Sequence, residues 1–559
     1  MTPLVPKTQD DFVHDNDEKQ PRQSHPDAIT SSSISKTISS SLPSASKCES
    51  ATPIFHRSAS VAEATINAEH SMTLRQGVRQ FPKAIAWSVV ISMTLVMEGY
   101  STILVPNLFA MDPFRRQFGD KLPNGTYEIS ANWQSALVNG GLAGQILGLF
   151  ATGTVAERIG YRHTLMLGLM AMNVFIFVTF FAASKEVLLA GQCLLGMPWV
   201  NACWVLGQLI ASIVMRGMIS DTTDWSYRIP FALQWIFPLP IFLAVCFAPE
   251  SPWWLIRQNR FADAKASLQR LRTKPKSVSD AEFDLVLVGT MEGMMETNDR
   301  EQRMQTGTSY KDCFKGVDRR RTEITCMVWI IQTLCGSTFM GFSTYFYEQA
   351  GIPPSHAFTL SLAQFALGLI GVIISWALMS HFGRRTLYLS GQTLTCLFVL
   401  LIGILACIPQ PNTNSAKGTS TPLNWAIAAL LLAFTLAYDA TLGPICYALV
   451  SEMPSTRLRS KTIVLARNCY NVGGIVTNVI TPRMLNPTAW GWGAKAGFFW
   501  AGTSVLGLVW SLCRLPEPKG RTFGELDELF ERGVPARGFK GWEVGEEGSV
   551  EGSRKGEGA

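Results

Sequence analysis

Residues 196–209 read GMPWVNACWVLGQL and lie inside a run from Val187 to Met215 that contains no charged residue. The run is 29 residues long, so as one helix it would extend about 43 Å, against a hydrocarbon core of about 30 Å. Two complete crossings would instead need roughly 40 residues and a turn. The number of crossings made by this run decides the fold of the chain.

The composition indicates a multi-pass membrane protein. Of the 559 residues, 47% are hydrophobic and only 16% are charged, whereas soluble domains carry roughly 25% charged residues. Many apolar stretches approach the length of a membrane-spanning helix. Residues 1–80 differ, because Ser, Thr, Pro and charged residues dominate and no signal-peptide core occurs. We expect that segment to be a disordered tail.

Several other function classes are excluded by composition and motif. The net charge of +6 comes from basic residues at the ends of apolar segments, where they set membrane orientation, so we expect no nucleic-acid partner. The twelve cysteines form no CxxC pair and are expected to be free thiols. The chain has no nucleotide-binding loop, zinc spacing or hydrolytic triad, so we expect no enzyme activity, no metal and no cofactor.

Eleven apolar segments are long enough to span a membrane if the long run counts once, and there are twelve if it counts twice. The predicted segments are 84–110, 132–155, 164–183, 187–215, 229–248, 324–346, 357–380, 387–408, 424–450, 462–482 and 494–514.

Basic loops decide between the two counts. RQGVRQFPK, ERIGYRH, RQNRFADAK, HFGRR and RLRSK should all lie on the cytoplasmic side. A glycosylation sequon at Asn124 belongs outside, although such sequons also occur by chance. Only two crossings within the long run place all five basic loops on one side. Since 29 residues are too few for two crossings, part of the chain is missing.

An internal repeat locates the loss. ERIGYRHTL in the first half parallels SHFGRRTL in the second, and PESPWWL parallels PEPKGRT. The interval from Gly443 to Gly473 is 30 positions, whereas its counterpart from Gly196 to Gly207 is 11 positions. By this comparison about 19 residues are absent from the first half, including the counterpart of the charged loop SEMPSTRLRSK.

These motifs carry a resemblance to a known family. PESPWWLIRQNRFADA, HFGRRT, SEMPSTRLRSKT, IIQTLCGSTFMGFSTYFYEQAG and PEPKGRTFGELDELFERGVPARGFKG resemble the sugar porters of the major facilitator superfamily, and most closely the fungal maltose/alpha-glucoside permeases. The family carries a Tyr-Ala-x-Glu-x-x-Pro-x-x-Leu-Arg-Gly pattern after GxPW. Here Trp199 runs directly into Val200, so roughly 25 family residues are absent.

The resemblance implies an all-α membrane fold with two six-helix bundles, in which 11 to 12 helices are present and the fourth and fifth are truncated. The expected divisions are a cytoplasmic tail (1–80), an incomplete first bundle (81–248), a cytoplasmic central loop (249–320), a second bundle (321–515) and a cytoplasmic tail (516–559).

A sugar site requires amide and hydroxyl side chains beside aromatic faces. Segment 324–346 supplies Trp329, Gln332, Thr333, Gly336, Thr338 and Tyr345. The resemblance places a Gln-rich sugar-binding motif here, with Thr333 replacing a second Gln. We expect Gly336, one turn after Gln332, to clear space beside its amide. The alternative is ordinary helix packing, in which small and polar residues are common.

Two further site candidates come from the resemblance. Gln208 matches a sugar-contacting Gln of the first half, although the loss lies directly upstream of it. Tyr447 in GPICY matches an aromatic that closes over the sugar, and Gly443-Pro444 would form the bend that lets it move. An interfacial anchor is the alternative role for Tyr447.

Proton coupling would require a carboxylate within the membrane. Glu98 and Asp439 are the candidates, and either could pair with Arg467, a cation inside a predicted span. At two positions where proton-coupled relatives have acids, this chain has Ser101 and Gln145. The alternative for Glu98 is a polar packing role or a position at the cytoplasmic membrane surface.

A cytoplasmic gate is predicted from ion pairs at the inner ends of the helices. The candidates are Glu157, Arg158, Arg162, Glu250, Arg384, Arg385, Glu452, Arg457, Arg459 and Glu517. The first-half cluster should be the weaker one, because the missing loop held further charges. Solvated charges with no gating role are the alternative.

Three readings of the chain remain. The first is a secondary carrier that moves an alpha-glucoside or hexose by alternating access, of a proton-symporter family. The second is a non-transporting sugar sensor or a degenerate paralogue. The third is a gene-model artefact, which sequencing the transcript across the Trp199 and Val200 codons would test. We expect a monomer in a lipid bilayer, in the plasma membrane by analogy with the family, that takes a sugar and possible co-substrate H⁺.

Overall fold

The regular structure of the chain is almost entirely helical. The computed structural model describes residues 81–123, 125–196, 204–274, 279–305, 309–409, 422–455, 457–521 and 523–541. The Asn124 sequon, the Trp199–Val200 junction and the tail 1–80 lie outside the described residues.

In the first half of the molecule, residues 81–248, the described residues form eight helices. They are α1 (Pro82–Leu108), α2 (Asp112–Phe118), α3 (Ala131–Ile159), α4 (Tyr161–Phe180), α5 (Lys185–Leu195), α6 (Trp204–Met218), α7 (Trp225–Leu233) and α8 (Pro238–Phe247). A 3-10 turn, Gln234–Ile236, links the last two helices. Two short strands, β1 (Asp120–Lys121) and β2 (Tyr127–Glu128), pair antiparallel as a hairpin, with Asp120 opposite Glu128.

The long uncharged run forms two separate helices. The helix α5 has 11 residues and α6 has 15, which gives lengths of about 16 Å and 22 Å. Neither helix reaches the roughly 30 Å of a bilayer core. These lengths are compatible with two truncated crossings, and residues 197–203 between the two helices lie outside the described residues.

In the described part of residues 249–320, three helices and a 3-10 turn precede the first long helix of the second half. They are α9 (Pro252–Arg257), α10 (Phe261–Leu271), α11 (Asp280–Gln305) and a 3-10 turn at Tyr310–Phe314. We call the end of the bundle that carries these residues the central-loop end, and the end that carries the β1–β2 hairpin the far end.

The described residues of the second half, 321–515, form both long and short helices. They are α12 (Gly316–Leu334), α13 (Thr338–Gly341), α14 (Ser343–Gln349), α15 (Pro354–His381), α16 (Arg384–Leu405), α17 (Pro422–Ala440), α18 (Leu442–Glu452), α19 (Arg459–Leu485), a 3-10 turn at Gly493–Ala496 and α20 (Gly497–Arg514). The helix α21 (Phe523–Glu531) and a 3-10 turn at Ala536–Gly541 follow. Most helices begin before the apolar segment predicted for them, and charged residues supply the first turn in α4, α16 and α19.

The two halves meet along several helix pairs in the part of the chain that the structure describes. The helix α3 packs along α19, α6 packs along α15, and α1 contacts α14. Among the described residues, seven helical spans are long and apolar enough to cross a membrane. Large apolar side chains such as Phe247 and Leu506, each 72% exposed, point outward. Outward apolar surface of this extent is what a bilayer would cover, so the predicted membrane fold class is confirmed.

Candidate functional site

A cluster of charged and aromatic side chains lies between the two halves. Nη2 of Arg467 on α19 lies 3.8 Å from Oε1 of Glu98 on α1, with the two side chains 8% and 5% exposed. The guanidinium carbon of Arg467 lies 4.9 Å from the ring centroids of both Trp329 and Tyr470. Trp329 also packs edge-on against Tyr447, with ring centroids 5.0 Å apart. We call these five residues the central cluster.

Several buried polar atoms in and beside the central cluster have no hydrogen-bond partner in the part of the chain that the structure describes. They are Nε1 of Trp329, Oε1 of Gln332, Nη1 of Arg467 and both amide atoms of Asn471. Buried polar atoms are nearly always paired, so a concentration of unpaired ones indicates a place for ligand or water. The set includes donors and acceptors beside aromatic rings, which matches the surface of a sugar.

Tyr447 is the solvent-exposed member of the central cluster. Its side chain is 37% exposed, although Trp329, against which it packs, is 3% exposed. The helix carrying Tyr447 is separated from α17 by Thr441, with φ −132° and ψ −80°. The chain therefore bends before Gly443-Pro444. Pro444 has no N–H to donate to the Ala440 carbonyl oxygen, so the helical hydrogen bonds are interrupted there.

The other candidates from segment 324–346 are distributed along the bundle. Thr333 donates to the Ile330 carbonyl oxygen at 2.7 Å, and Thr338 begins α13 with 9% exposure. Tyr345 lies at the far end, where its hydroxyl donates to Glu128 at 3.0 Å. The structure therefore places Trp329 and Gln332 with the unpaired atoms and Tyr345 elsewhere.

The structure gives Gly336 a different role from the one predicted from the sequence. The helix α12 ends at Leu334, and Gly336 adopts φ +91° in the connection to α13. A Cβ at this position would lie 3.2 Å from Cβ of Trp500. The glycine permits a left-handed break beside Trp500, so the expectation that it clears space beside the Gln332 amide is wrong.

Gln208 lies on the truncated helix α6, at the height of the central cluster. A Cβ on its neighbour Gly207 would meet the Val96 carbonyl oxygen at 1.9 Å and the Tyr100 amide at 2.7 Å. This close approach brings α6 onto the turn of α1 that contains Glu98. Gln208 itself is half-buried.

Of the two acids that could pair with Arg467, the structure pairs Glu98. Asp439 is 6% exposed and packs against α15, where a Cβ on Gly368 would lie 2.6 Å from its Oδ2. Ser101 accepts a hydrogen bond from Gln234 at 3.1 Å, and Oε1 of buried Gln145 has no partner within the described residues.

At the far end, hydrogen bonds and ion pairs join the two halves. Arg115 on α2 forms a two-pronged pair with Glu348 on α14, with Nη1 to Oε1 at 3.0 Å and Nη2 to Oε2 at 2.5 Å. Thr344 donates to Asn107 at 2.9 Å. Burial acts to lower the pKa of Arg115, but the Glu348 carboxylate raises it above its ordinary value. We call Asn107, Arg115, Thr344 and Glu348 the far-end lock.

At the central-loop end, the predicted gate residues bond within their own halves. Glu250 accepts from the Arg162 amide at 3.1 Å, and Glu517 accepts from the Arg384 and Arg385 amides at 2.7 Å and 3.1 Å. Glu250 thus caps the start of α4, and Glu517 caps the start of α16. Each helix follows a glycine of the internal repeat, and this shared capping role explains why both repeats contain a Glu.

The remaining gate candidates show different partners from those expected. Arg384 pairs with Glu452 at 3.2 Å, as predicted, whereas Arg457 pairs with Asp318 of α12 at 3.2 Å. The Glu157 carbonyl oxygen accepts from Trp254 at 3.1 Å. Arg158 lies near the end of α3, and Arg459 begins α19. None of the bonds named here joins the first half to the second, so they do not hold the two halves together in this conformation.

Sequence reasoning missed Tyr470, Asn471, Arg115 and Glu348. A signal existed for the first two, because Arg467, Tyr470 and Asn471 stand at i, i+3 and i+4 and so share one helix face. Arg115 and Glu348 are 233 positions apart, and no local pattern connects them.

A family model described as "Sugar (and other) transporter" matches residues 87–200 and 198–530. The two matched segments divide at the position where the sequence analysis places the loss. The general alpha-glucoside permease of Saccharomyces cerevisiae is 38% identical over 500 residues, covering 84% of this chain and 79% of that protein. A maltose permease of Saccharomyces cerevisiae is 39% identical over 506 residues, covering 85% and 80%.

Solved structures show a similar fold. A structure titled as the proton:xylose symporter XylE bound to 6-bromo-6-deoxy-D-glucose superimposes with a TM-score of 0.62 at 17% identity, covering 80% of this chain and 99% of that one. A partially occluded inward open form of the xylose transporter XylE from E. coli gives a TM-score of 0.62 at 15% identity, covering 79% and 100%.

Proposed function

We propose a transport function on one premise: the chain belongs to the sugar transporter family of the major facilitator superfamily, and is a multi-pass membrane protein that handles sugars rather than an enzyme. The specific proposal is a secondary carrier that moves an alpha-glucoside or a hexose by alternating access. The named relatives are alpha-glucoside and maltose permeases, which favours the alpha-glucoside.

The observation that carries this proposal is the set of unpaired polar atoms at the central cluster. Gln332 and Asn471 offer amide donors and acceptors, and Trp329 and Tyr447 offer ring faces. A disaccharide hydroxyl can both donate and accept, so each amide would be satisfied by the bound sugar. Tyr447, the exposed member, would close over it.

The far-end lock indicates which side of the site is open. Bonds join the halves at the far end, whereas none of the bonds named above for the gate residues at the central-loop end joins one half to the other. Since the basic loops flank the central-loop end, we assign that end to the cytoplasm and this conformation to the inward-facing state. Outward opening would break the far-end lock, and the gate residues would then meet across the halves.

Proton coupling is proposed through Glu98 and Arg467. Proton binding at Glu98 would release Arg467 to its two aromatic neighbours, which links protonation to the geometry of the sugar site. Because Ser101 and Gln145 stand where relatives have acids, transport should depend less on pH than in those relatives. One-to-one alkalinisation of the medium on sugar addition would contradict that expectation.

The test is uptake of radiolabelled maltose and glucose in cells that lack their own carriers, with surface protein quantified in the same cells. We expect saturable uptake that Gln332→Ala abolishes. Gln392→Ala is the matched control, because Gln392 is buried on α16 and its amide donates to Ser504, away from the central cluster. Absence of any sugar uptake by protein present at the surface would refute the carrier.

The truncated helices α5 and α6 favour a second candidate, a sugar-binding protein that does not transport. Helices of about 16 Å and 22 Å leave the first half short of two complete crossings. Sugar binding, measured as quenching of tryptophan fluorescence that Trp329→Phe removes, with no uptake in the same preparation reconstituted in vesicles, would identify this function.

A further inference from the structure

A groove on the outside of the bundle is separate from the central cluster. It has a volume of about 360 Å³, lies between α3 and α19 at the far end, and is lined by Asn132, Ser135, Ala136, Asn139, Val479 and Arg483. On α19, Arg467 and Asn471 are buried, whereas Val472 and Val476 are 54% and 50% exposed. Arg483 follows Val476 by seven residues and so lies on the exposed face.

The groove carries a positive charge that its own lining does not neutralise. Nη2 of Arg483 donates to Oδ1 of Asn132 at 3.0 Å, and Nη1 approaches the Val479 carbonyl oxygen at 3.4 Å. None of the six lining residues is acidic. A guanidinium has five N–H donors in a fork that matches a phosphate, so a phosphate oxygen is a suitable partner for those that remain.

Arg483 requires a hydrogen-bond acceptor from the occupant of the groove, whereas Asn139 requires a donor. Its amide nitrogen donates to the Ile475 carbonyl oxygen at 3.2 Å, but Oδ1 is buried and has no partner among the described residues. A carbonyl oxygen accepts hydrogen bonds and does not donate them. The occupant of the groove should therefore present an ammonium or hydroxyl donor together with its phosphate.

Apolar surface continues from the groove toward the middle of the bundle. The helices run antiparallel, with Asn132 opposite Arg483 and Asn139 opposite Ile475. Val476 and Val472 lie about 10 Å and 16 Å along α19 from Arg483, and Leu147 on α3 is 63% exposed. An acyl chain extending from the groove would cover this surface.

We propose that the groove binds a bilayer phospholipid whose headgroup donates hydrogen bonds. Arg483 takes the phosphate, Asn139 accepts from the headgroup ammonium or hydroxyl, and the acyl chain follows Val472 and Val476. Because α3 belongs to the first half and α19 to the second, the lipid bridges the halves and favours the conformation closed at the far end.

The test is native mass spectrometry of the purified full-length protein in detergent. The probes are dioleoyl-phosphatidylethanolamine, dioleoyl-phosphatidylcholine, dioleoylglycerol and soluble phosphoethanolamine. We expect phosphatidylethanolamine to be retained about tenfold more tightly than phosphatidylcholine, which lacks an N–H donor. Dioleoylglycerol and soluble phosphoethanolamine should be lost.

Two variants test the groove itself, and one serves as the control. Arg483→Ala removes the charge, and Ala136→Phe fills the space while keeping Arg483; both should reduce lipid retention about tenfold. Arg116→Ala changes an exposed arginine at the same end, 67% exposed and paired with Asp112, and should retain the lipid. Gel filtration and the melting temperature establish that each variant is folded.

Four results would overturn the proposal. Equal retention of dioleoylglycerol would show that phosphate is not recognised, and equal retention of phosphatidylcholine would show that Asn139 does not select a donor. Equal binding of soluble phosphoethanolamine would identify a free solute rather than a lipid. Unchanged lipid retention in a folded Ala136→Phe variant would place the lipid elsewhere.

Discussion

Arg467 and Glu98 form a buried ion pair that connects the two halves of the molecule. With exposures of 8% and 5%, neither charge is solvated, so each depends on the other and on the aromatic rings around Arg467. The intact pair therefore contributes little net stability, whereas removing one partner leaves the other charge buried and unpaired.

Replacing Arg467 alone by Gln should lower the free energy of unfolding by about 3–5 kcal/mol, because Glu98 is left as an uncompensated buried charge. The double variant Glu98→Gln/Arg467→Gln should recover most of that loss. Thermal unfolding in detergent measures both. If the double variant were as unstable as Arg467→Gln, the two residues would not be coupled.

Gly207 allows α6 to contact α1. A Cβ there would lie 1.9 Å from the Val96 carbonyl oxygen, so Gly207→Ala must push the helices apart and should cost about 1–3 kcal/mol in unfolding free energy. Gly217 on the same helix has open space around it. Gly217→Ala is the control and should be neutral or stabilising by up to about 1 kcal/mol. Equal melting temperatures for the two variants would contradict the packing.

At the scale of the element, the C-terminal segment with α21 is docked onto the start of α12. Arg321, 3% exposed, pairs with Asp527 and lies 4.5 Å from the ring centroid of Phe530. Arg320 donates to the Val534 carbonyl oxygen at 2.8 Å. The ending that resembles the family thus secures the helix that carries Trp329 and Gln332.

Asp527→Asn should lower the unfolding free energy by about 2–3 kcal/mol, because buried Arg321 loses its counter-charge; the figure allows for the partial exposure of Asp527. Glu528→Gln is the matched control, since Glu528 pairs with Arg532 on the surface and should change stability by less than about 1 kcal/mol. Chemical denaturation of the full-length protein, followed by tryptophan fluorescence, separates the two. Similar effects of the two variants would argue against a docked segment.

At the scale of the whole molecule, the far-end lock sets the balance between conformations. The pair of buried Arg115 and half-buried Glu348 joins the halves, and Thr344 on the same helix as Glu348 is fully buried. Loss of the pair should make the far end open more often.

Glu348→Gln should increase the rate at which an introduced Thr344→Cys reacts with a membrane-impermeant maleimide by about tenfold, since one charge-assisted pair is lost. Glu323→Gln is the control, because Glu323 pairs with Arg514 inside the second half. A rate that stayed unchanged in Glu348→Gln would mean that the pair does not hold the far end closed.

The sequence by itself determined the membrane fold class and the family, and it predicted two crossings in residues 187–215 and the position of a loss between them. It did so because apolar length, basic-loop parity and the internal repeat are local, countable features of the chain. It also identified Trp329, Gln332, Tyr447, Glu98 and Arg467 as residues to examine.

Only the tertiary structure decided which of these residues meet. It showed that Glu98, rather than Asp439, pairs with Arg467, and that Tyr470 and Asn471 lie in or beside the central cluster. It placed Tyr345 at the far end. It also showed that Glu250 and Glu517 cap helices. Each outcome depends on contacts between segments far apart in the chain, formed by how whole helices pack. No spacing within a single helix encodes which face of another helix it will meet.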